Sequence, residues 1–569
     1  MRRLILFTLI QLFIVQLSGQ NSYSFHPPVN IPMYLSGNFG EIRSDHFHSG
    51  IDIKTQGTVG HHVFSVEKGY VSRIKVQANG YGKSIYVTHP NGYTSVYGHL
   101  DRYRDDMAEY VKKVQYKRES HSVDLYLEPG VFQLEQGEFL AYSGNTGGSS
   151  GPHLHFEIRT ASNQHPTNVL KYNFDIKDQR APKFHSLFIY PLDQHGQING
   201  TREKFSSSLV IDNGIYTIPW TTKVSASGRL GISVEVFDYL NGASNRCGVY
   251  SLEFYIDDQL VYRHLMDEFA FSETRYVNAH IDYEERTRNS TKAHRLHRLP
   301  NDRLRIYDVL ENSGELLINE ERSYKMIIVA KDVAGNQSKL EFSISGNIKQ
   351  LPEYQATGPH MIMKYNESNT FDQDPVSVSI PKNALYEDMK FIFEEAPPSH
   401  GSLTDFYHIG NEEIPVHLPY ILSIKTKVTN PDLQNKLLIV NLNDENELSS
   451  AGGEFSDGKV TARLRSFGKY AIGIDTIAPE IKPIEGEMNG NRTGRKSIKF
   501  IITDELSDID KYEGYIDNQW VLFEYDLKND LLVYDFDNER IKMNTEHELE
   551  LYVTDSKGNA SLYHTKFTW

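Results

Sequence analysis

The sequence predicts a mainly β chain, with an N-terminal antiparallel sheet domain followed by several β-sandwich modules. Three observations carry this. Short alternating apolar runs recur between turns rich in Gly, Asn and Pro. Tyr (35) and Phe (28) far outnumber Trp (3), a bias that suits strands. Two short motifs also recur in the same order in distant stretches, as a duplicated module would leave them.

The chain has 569 residues, enough for about three to five domains at roughly 100–200 residues each. With 39% hydrophobic and 24% charged residues it is globular in composition. That excludes a disordered, collagenous or polytopic membrane chain. The formal net charge is −16, which argues against nucleic acid or anionic lipid held by charge alone. Cys247 is the single cysteine, so no intrachain disulfide, Cys-rich zinc finger or iron–sulfur cluster is possible.

Met1-Arg2-Arg3 is a positive start, followed by an apolar run from Leu4 to Leu17 and then small Ser18 and Gly19. The run is shorter than the ~20 residues that span a bilayer, so residues 1–19 are expected to be a cleaved secretory signal. No cysteine near it offers a lipid anchor, and no other stretch is long and apolar enough to cross a membrane. The expected location is exported, periplasmic or associated with the cell envelope.

In the first domain, expected over residues 20–178, the runs Val63–Ile74, Ser84–His89, Tyr93–Leu100 and Phe139–Ser143 read as strands. His89-Pro90-Asn91-Gly92 reads as a hairpin turn between two of them. Asp101–Val114 is weakly helical in pattern. A β-sandwich with an insertion is expected over 179–350, opening near Ala181-Pro182. A second sandwich is expected over 351–475 and a third over 476–569, opening near Ala478-Pro479. In the first and last of these, Tyr255-Ile-Asp-Asp-Gln259 matches Tyr515-Ile-Asp-Asn-Gln519. Asp332-x-x-Gly335-Asn336-x-Ser338 likewise matches Asp555-x-x-Gly558-Asn559-x-Ser561. A tight turn bonded through Asp and Asn side chains explains the second motif with fewer assumptions than calcium.

Two histidine motifs carry the chemistry. His48-Ser49-Gly50-Ile51-Asp52 supplies a His and an Asp, and His153-Leu154-His155 supplies two imidazoles that project to one face of a strand. Hydrolytic zinc commonly takes three N or O protein ligands and keeps a fourth position for water. Two histidines and a carboxylate meet that need without thiols. No His-Glu-x-x-His helix is present, so an imidazole rather than a motif glutamate must serve as base.

With these motifs in view, the sequence resembles the lysostaphin-like zinc metallopeptidases of family M23. The resembling stretches are His48-Ser-Gly-Ile-Asp52, Gly69-Tyr-Val71, Tyr81-Gly82, Tyr97-Gly-His99-Leu100, and Gly144 to Glu157 with Gly-Pro-His-Leu-His inside it. They run in the family's order over about a fifth of the chain. The resemblance implies a small antiparallel sheet with a groove walled by loops. It implies Zn²⁺ ligands His48, Asp52 and His155, and catalytic imidazoles His99 and His153, one as general base and one bonding the nucleophile or oxyanion. It also implies peptidoglycan as substrate. The 54 residues between His99 and His153 exceed the compact pattern, so Arg102–Glu135 is expected to form a loop or hairpin beside the groove, adding contacts or regulating access.

Other residues read more plainly. His89 reads as a turn residue; His46, His61 and His62 as exposed; Arg43 as solvated. The histidines at 280, 294 and 297 fall in the charged insertion and read as solvated too. Gly144–Gly151 lacks the Gly-Lys-[Ser/Thr] ending of a phosphate loop. Cys247 reads as a small buried residue. The expected function is an exported zinc endopeptidase acting on peptidoglycan stem peptides or cross-links. Its rivals are a non-hydrolytic wall-binding scaffold or regulator using the same groove, and a peptidase acting on proteins. The C-terminal modules are expected to position the enzyme or bind a protein partner.

Overall fold

The computed structural model describes residues 24–348, 361–443, 446–484 and 490–569. The expected signal segment, 1–19, lies outside them. The described chain is mainly β, as the turn spacing predicts. Among its described residues no helix is long and apolar enough to cross a membrane.

The first domain is one strongly branched sheet. Its main path runs Leu35–Gly37, Ile51–Lys54, His153–Thr160, Tyr93–Tyr103, Lys83–Thr88, Gly69–Val76, Val123–Tyr126, antiparallel at each pairing. Alternation does the sorting. Ile51, Ile53, Leu154 and Phe156 are fully buried in the core on one face, while Asp52, His153 and His155 point to the other. The Asn91-Gly92 turn closes the hairpin, with Gly92 at φ +86°.

Two expectations need correction here. The run Val63–Ile74 is two strands, His62–Phe64 and Gly69–Val76. The backbone of Val66 turns aside to bond the Tyr97 hydroxyl and the His26 N–H. The helix begins later than the pattern suggests, at Asp105, and runs to Arg118, because the strand continues past an irregularity between Leu100 and Arg102 to bury Tyr103. Asp105 and Asp106 in its first turn and Lys117 and Arg118 in its last oppose the helix dipole. Met107, Val111 and Gln115 form its buried stripe.

The Arg102–Glu135 segment does not lie beside the groove. Its strand Val123–Tyr126 adds to the far edge of the sheet, and its helix receives the last module. There Lys112 pairs with Asp537 at 2.7 Å, Tyr116 meets Trp520 edge-on at 5.3 Å, and the His121 ring lies 3.2 Å from the Tyr512 hydroxyl. Lys83 pairs with Glu524 at 2.9 Å in the same contact.

The second body, from Lys183 to Gly346, is a 13-stranded arrangement around one core that includes Leu187, Val234, Phe254 and Ile328. Between Val277 and Arg295 it carries two short helices and a strand. The third body packs two five-stranded sheets, and the fourth packs a four-stranded on a five-stranded sheet. The repeated motifs occupy equivalent places in the second and fourth bodies. Asp332 Oδ1 accepts the Asn336 N–H at 2.8 Å, and Asp555 Oδ1 accepts the Asn559 N–H at 2.9 Å. In both, the Asn side-chain amide returns to the other carboxylate oxygen at 2.7 Å.

A second apolar cluster joins the first two bodies. Phe39, Ile42 and Phe47 from the first domain pack with Met266, Phe269, Val277 and Ile281 from the second. Phe39 stacks on Phe269 at 5.0 Å. Burying each such ring contributes about 1.5–3 kcal/mol, so the segment just before His48 is held from both sides.

Candidate active site

The sheet register assembles the cluster. Asp52 and His155 are direct cross-strand partners, and Gly98 faces His155 from the other side, one residue before His99. Gly50 has to be glycine, since a Cβ there would lie 2.3 Å from the Phe156 carbonyl oxygen. That close approach brings His48 down beside the strand. His99 sits in the left-handed region at φ +57°, which lifts its ring off the strand toward His153, 4.7 Å between ring centres.

His48 Nε2, His155 Nδ1 and Asp52 Oδ1 form a nearly equilateral triangle. The sides are 3.1 Å between the two nitrogens, and 3.0 Å from the carboxylate oxygen to each. Ligand atoms about 2.0–2.1 Å from a tetrahedral zinc lie about 3.3 Å apart. The donor set and its spacing therefore fit a small divalent cation of the zinc class.

The rings are fixed from behind. His48 Nδ1 lies 2.8 Å from the Asn38 carbonyl, leaving Nε2 to face the centre. His155 Nε2 lies 2.7 Å from Glu157 Oε1, and Arg159 Nε donates to Glu157 Oε2 at 2.5 Å. Ser49 and Tyr81 hydroxyls also reach Glu157 Oε1. This carboxylate–imidazole pairing is the support that metal-ligating histidines ordinarily have. Arg43 donates to Asp52 Oδ2 at 2.8 Å, so it is a partner of the carboxylate and not the solvated residue expected.

The electrostatics follow the same contacts. Burial drags His155 down, but bonds to Asp52 and Glu157 outweigh it and push its pKa up to about 9. Burial opposes ionisation of Asp52 and Glu157, yet the neighbouring imidazoles and Arg159 hold both carboxylates below the usual range. His48 is lowered, by burial first, against the pull of Asp52. The pocket is built for positive charge at its centre.

The two remaining imidazoles face the triangle without joining it. His153 Nδ1 lies 2.8 Å from the Gly151 carbonyl and 3.1 Å from Ser149 Oγ, and His99 Nδ1 lies 2.8 Å from the Thr146 carbonyl. Each ring thus donates its Nδ1–H to a carbonyl and turns a bare Nε2 toward the centre. His153 Nε2 is 3.4 Å from Asp52 Oδ1. His99 is lowered to about 3, by burial first and then by His155 and His153.

All five residues line a groove of about 1070 Å³. One wall is the glycine-rich Gly148–Pro152 turn. The second body contributes Asn245, Phe271 and Thr274. Thr274 Oγ1 accepts the Phe47 N–H at 2.7 Å. His46 lines the rim and is exposed.

Sequence reasoning did not assign Glu157, Arg159, Arg43 or the second body's contribution. The alternation Glu157-x-Arg159 on the His155 face was the available signal for the first two. No local pattern announces Phe271 or Thr274, which arrive through tertiary packing.

Comparison with known proteins gives the same picture. Residues 46–116 match the model described as Peptidase family M23, and residues 360–475 match that of a Zu5-like domain. The first match takes in His48, Asp52 and His99 and ends within the helix Asp105–Arg118. An uncharacterized metalloprotease of Haemophilus influenzae is 33% identical over 120 residues, 21% of this chain and 19% of that protein. The DD-carboxypeptidase/endopeptidase Mpg of Neisseria meningitidis serogroup B is 29% identical over 122 residues, 21% of each chain. The chain thus spans about a fifth of the length of the curated relatives it matches. A zinc-containing peptidase from Vibrio cholerae, a solved structure, aligns with 27% of this chain and 41% of its own at 23% identity and a TM-score of 0.21. Over residues 46–116, which hold three of the five clustered side chains, the chain is thus similar to peptidase family M23.

Proposed function

We propose that the protein is an exported zinc metalloendopeptidase that hydrolyses peptide bonds in peptidoglycan stem peptides or cross-links. The observation that carries this reading is the buried triangle of His48, Asp52 and His155 on the groove floor, faced by two further imidazoles. The relatives named as a metalloprotease and as a DD-carboxypeptidase/endopeptidase support the substrate class. The leader-like residues 1–19 support export.

His48 Nε2, Asp52 Oδ1 and His155 Nδ1 would hold Zn²⁺, which when bound would supply Lewis acidity toward a scissile carbonyl and water. The chain's own groups do the rest. His99 and His153 each present a bare Nε2, so either imidazole can take the proton of the attacking water and return it to the leaving amine. The other, once protonated, donates to the tetrahedral oxyanion. Glu157 and Arg159 keep His155 aimed, and Arg43 keeps Asp52 from rotating. The open groove between the glycine-rich turn and Phe271 admits an extended peptide.

The test is digestion of purified peptidoglycan by the mature protein and by His155→Ala, with and without chelator, read by mass spectrometry of muropeptides. Zinc-dependent loss of cross-linked species, absent in the variant, supports the reading. Binding without release, or cleavage of proteins alone, refutes it.

A further inference from the structure

A second group of histidines, none of which lines the groove, lies inside the second body. His264 is on the strand Gln259–Leu265, His280 closes the helix Val277–His280, and His294 is on the strand Ala293–Arg295. They are 0%, 0% and 3% exposed, so the expectation that 280 and 294 are solvated is corrected, as it is for His297 at 2%. The reason is that the insertion folds inward. His294 pairs with Val234 of the central strand, and His280 packs against Phe47 of the first domain at 5.7 Å.

The three rings converge. Their centres are 5.0, 5.1 and 5.7 Å apart, and one nitrogen from each lies within 4.8 Å of the others. His280 Nε2 and His294 Nδ1 are 2.9 Å apart. His264 Nε2 is buried with no hydrogen-bond partner. The rings are also held from behind: His264 Nδ1 lies 2.9 Å from the Tyr262 hydroxyl and His280 Nδ1 3.3 Å from that of Tyr307. Tyr307 in turn donates to Asp302 at 2.5 Å. Inward nitrogens facing one another, with the outward nitrogens of His264 and His280 tied to hydroxyls, match the arrangement of metal-ligating imidazoles.

Hydrogen bonding alone leaves this group unsatisfied. A neutral imidazole has one N–H and one lone pair. Two inward nitrogens can share one proton, and the third has nothing to meet. One cation accepting three lone pairs satisfies all of them together. A purely imidazole set selects zinc-class transition metals over Ca²⁺ or Mg²⁺, which take oxygen.

We propose that His264, His280 and His294 form a second metal site, structural and of the zinc class, that pins the insertion to the sandwich. Three protein ligands leave one position for a small ligand such as water. Asp302, reached through Tyr307, provides countercharge. Because His280 packs on Phe47, next to His48, and because Thr274 binds the Phe47 backbone, this centre stiffens the groove wall contributed by the second body.

The test removes the groove site and asks what remains. His48→Ala/His155→Ala protein is loaded with zinc, freed of excess by gel filtration, and assayed for metal per chain. One retained equivalent is expected, together with a fall in melting temperature on adding a strong chelator. Adding His264→Gln should remove that equivalent. X-ray absorption on the unaltered second site should show imidazole nitrogen scatterers, a readout that needs no further variant if His264→Gln fails to fold. No retained metal, metal that persists through a folded His264→Gln, or a shell lacking imidazole overturns the proposal. If the wild type itself holds one equivalent that survives in the double variant, the second site stands and the groove site falls.

Discussion

Glu157→Gln separates the metal-holding role of the groove from its scaffold. Glu157 is fully buried, accepts from His155, Ser49 and Tyr81 through Oε1, and neutralises Arg159 through Oε2. Glutamine keeps the shape and loses the charge. A hydrogen bond to a charged group contributes about 1.5–3 kcal/mol, which corresponds to roughly 10- to 150-fold in zinc affinity. That agrees with the roughly 10- to 100-fold usual for loss of such outer partners. The substitution also strands the buried Arg159 guanidinium, a destabilisation of about 3–5 kcal/mol. The two effects part in Glu157→Gln/Arg159→Met, which removes both charges: stability should recover while affinity stays low. Zinc competition titration against a chelator of known affinity reads the first effect, and thermal unfolding the second. Wild-type zinc affinity in folded Glu157→Gln would refute the idea that this carboxylate orients the His155 ligand.

Three further outcomes are expected. His153→Ala should retain zinc and lose turnover by roughly 10²- to 10⁴-fold, because it removes a proton carrier and no ligand; metal analysis and muropeptide release check this together. Phe39→Ala should weaken the joint between the first two bodies by about 3–5 kcal/mol, read as faster hydrogen exchange in 264–281. Acid should loosen the last module. Burial lowers His121 from 6.5 to about 4 against the pull of Glu524. The unfolded chain therefore binds the extra proton, and stability is full above pH 6.5 and lost as pH falls toward 4, by roughly 3 kcal/mol at most. Protonated His121 can no longer accept the Tyr525 N–H, so Trp520 emission in a Trp220→Phe/Trp569→Phe background should step in that window, and the step should vanish in His121→Gln.

Where the sequence was legible, a short-range rule governed the outcome. Period-two alternation puts His153 and His155 on one face and Leu154 in the core, and Asn-Gly marks the hairpin that sets the register. The duplicated Asp-x-x-Gly-Asn-x-Ser turns were legible because each is closed by its own side chains. The misreadings are long-range. A charged stretch reads as solvated until the insertion folds inward, which is how His280, His294 and His297 came to be buried. Arg43 reads as surface because its partner Asp52 is specified by strand register. The segment after Arg102 has ordinary helix signals, yet nothing local tells that its helix meets Trp520 and Asp537 some four hundred residues away.

The most direct measurement is a zinc-edge anomalous difference map from crystals of the zinc-saturated protein. A strong peak bounded by His48 Nε2, Asp52 Oδ1 and His155 Nδ1 is the expected result. A zinc-saturated crystal with no peak within bonding distance of those three atoms would contradict the metallopeptidase reading at its root.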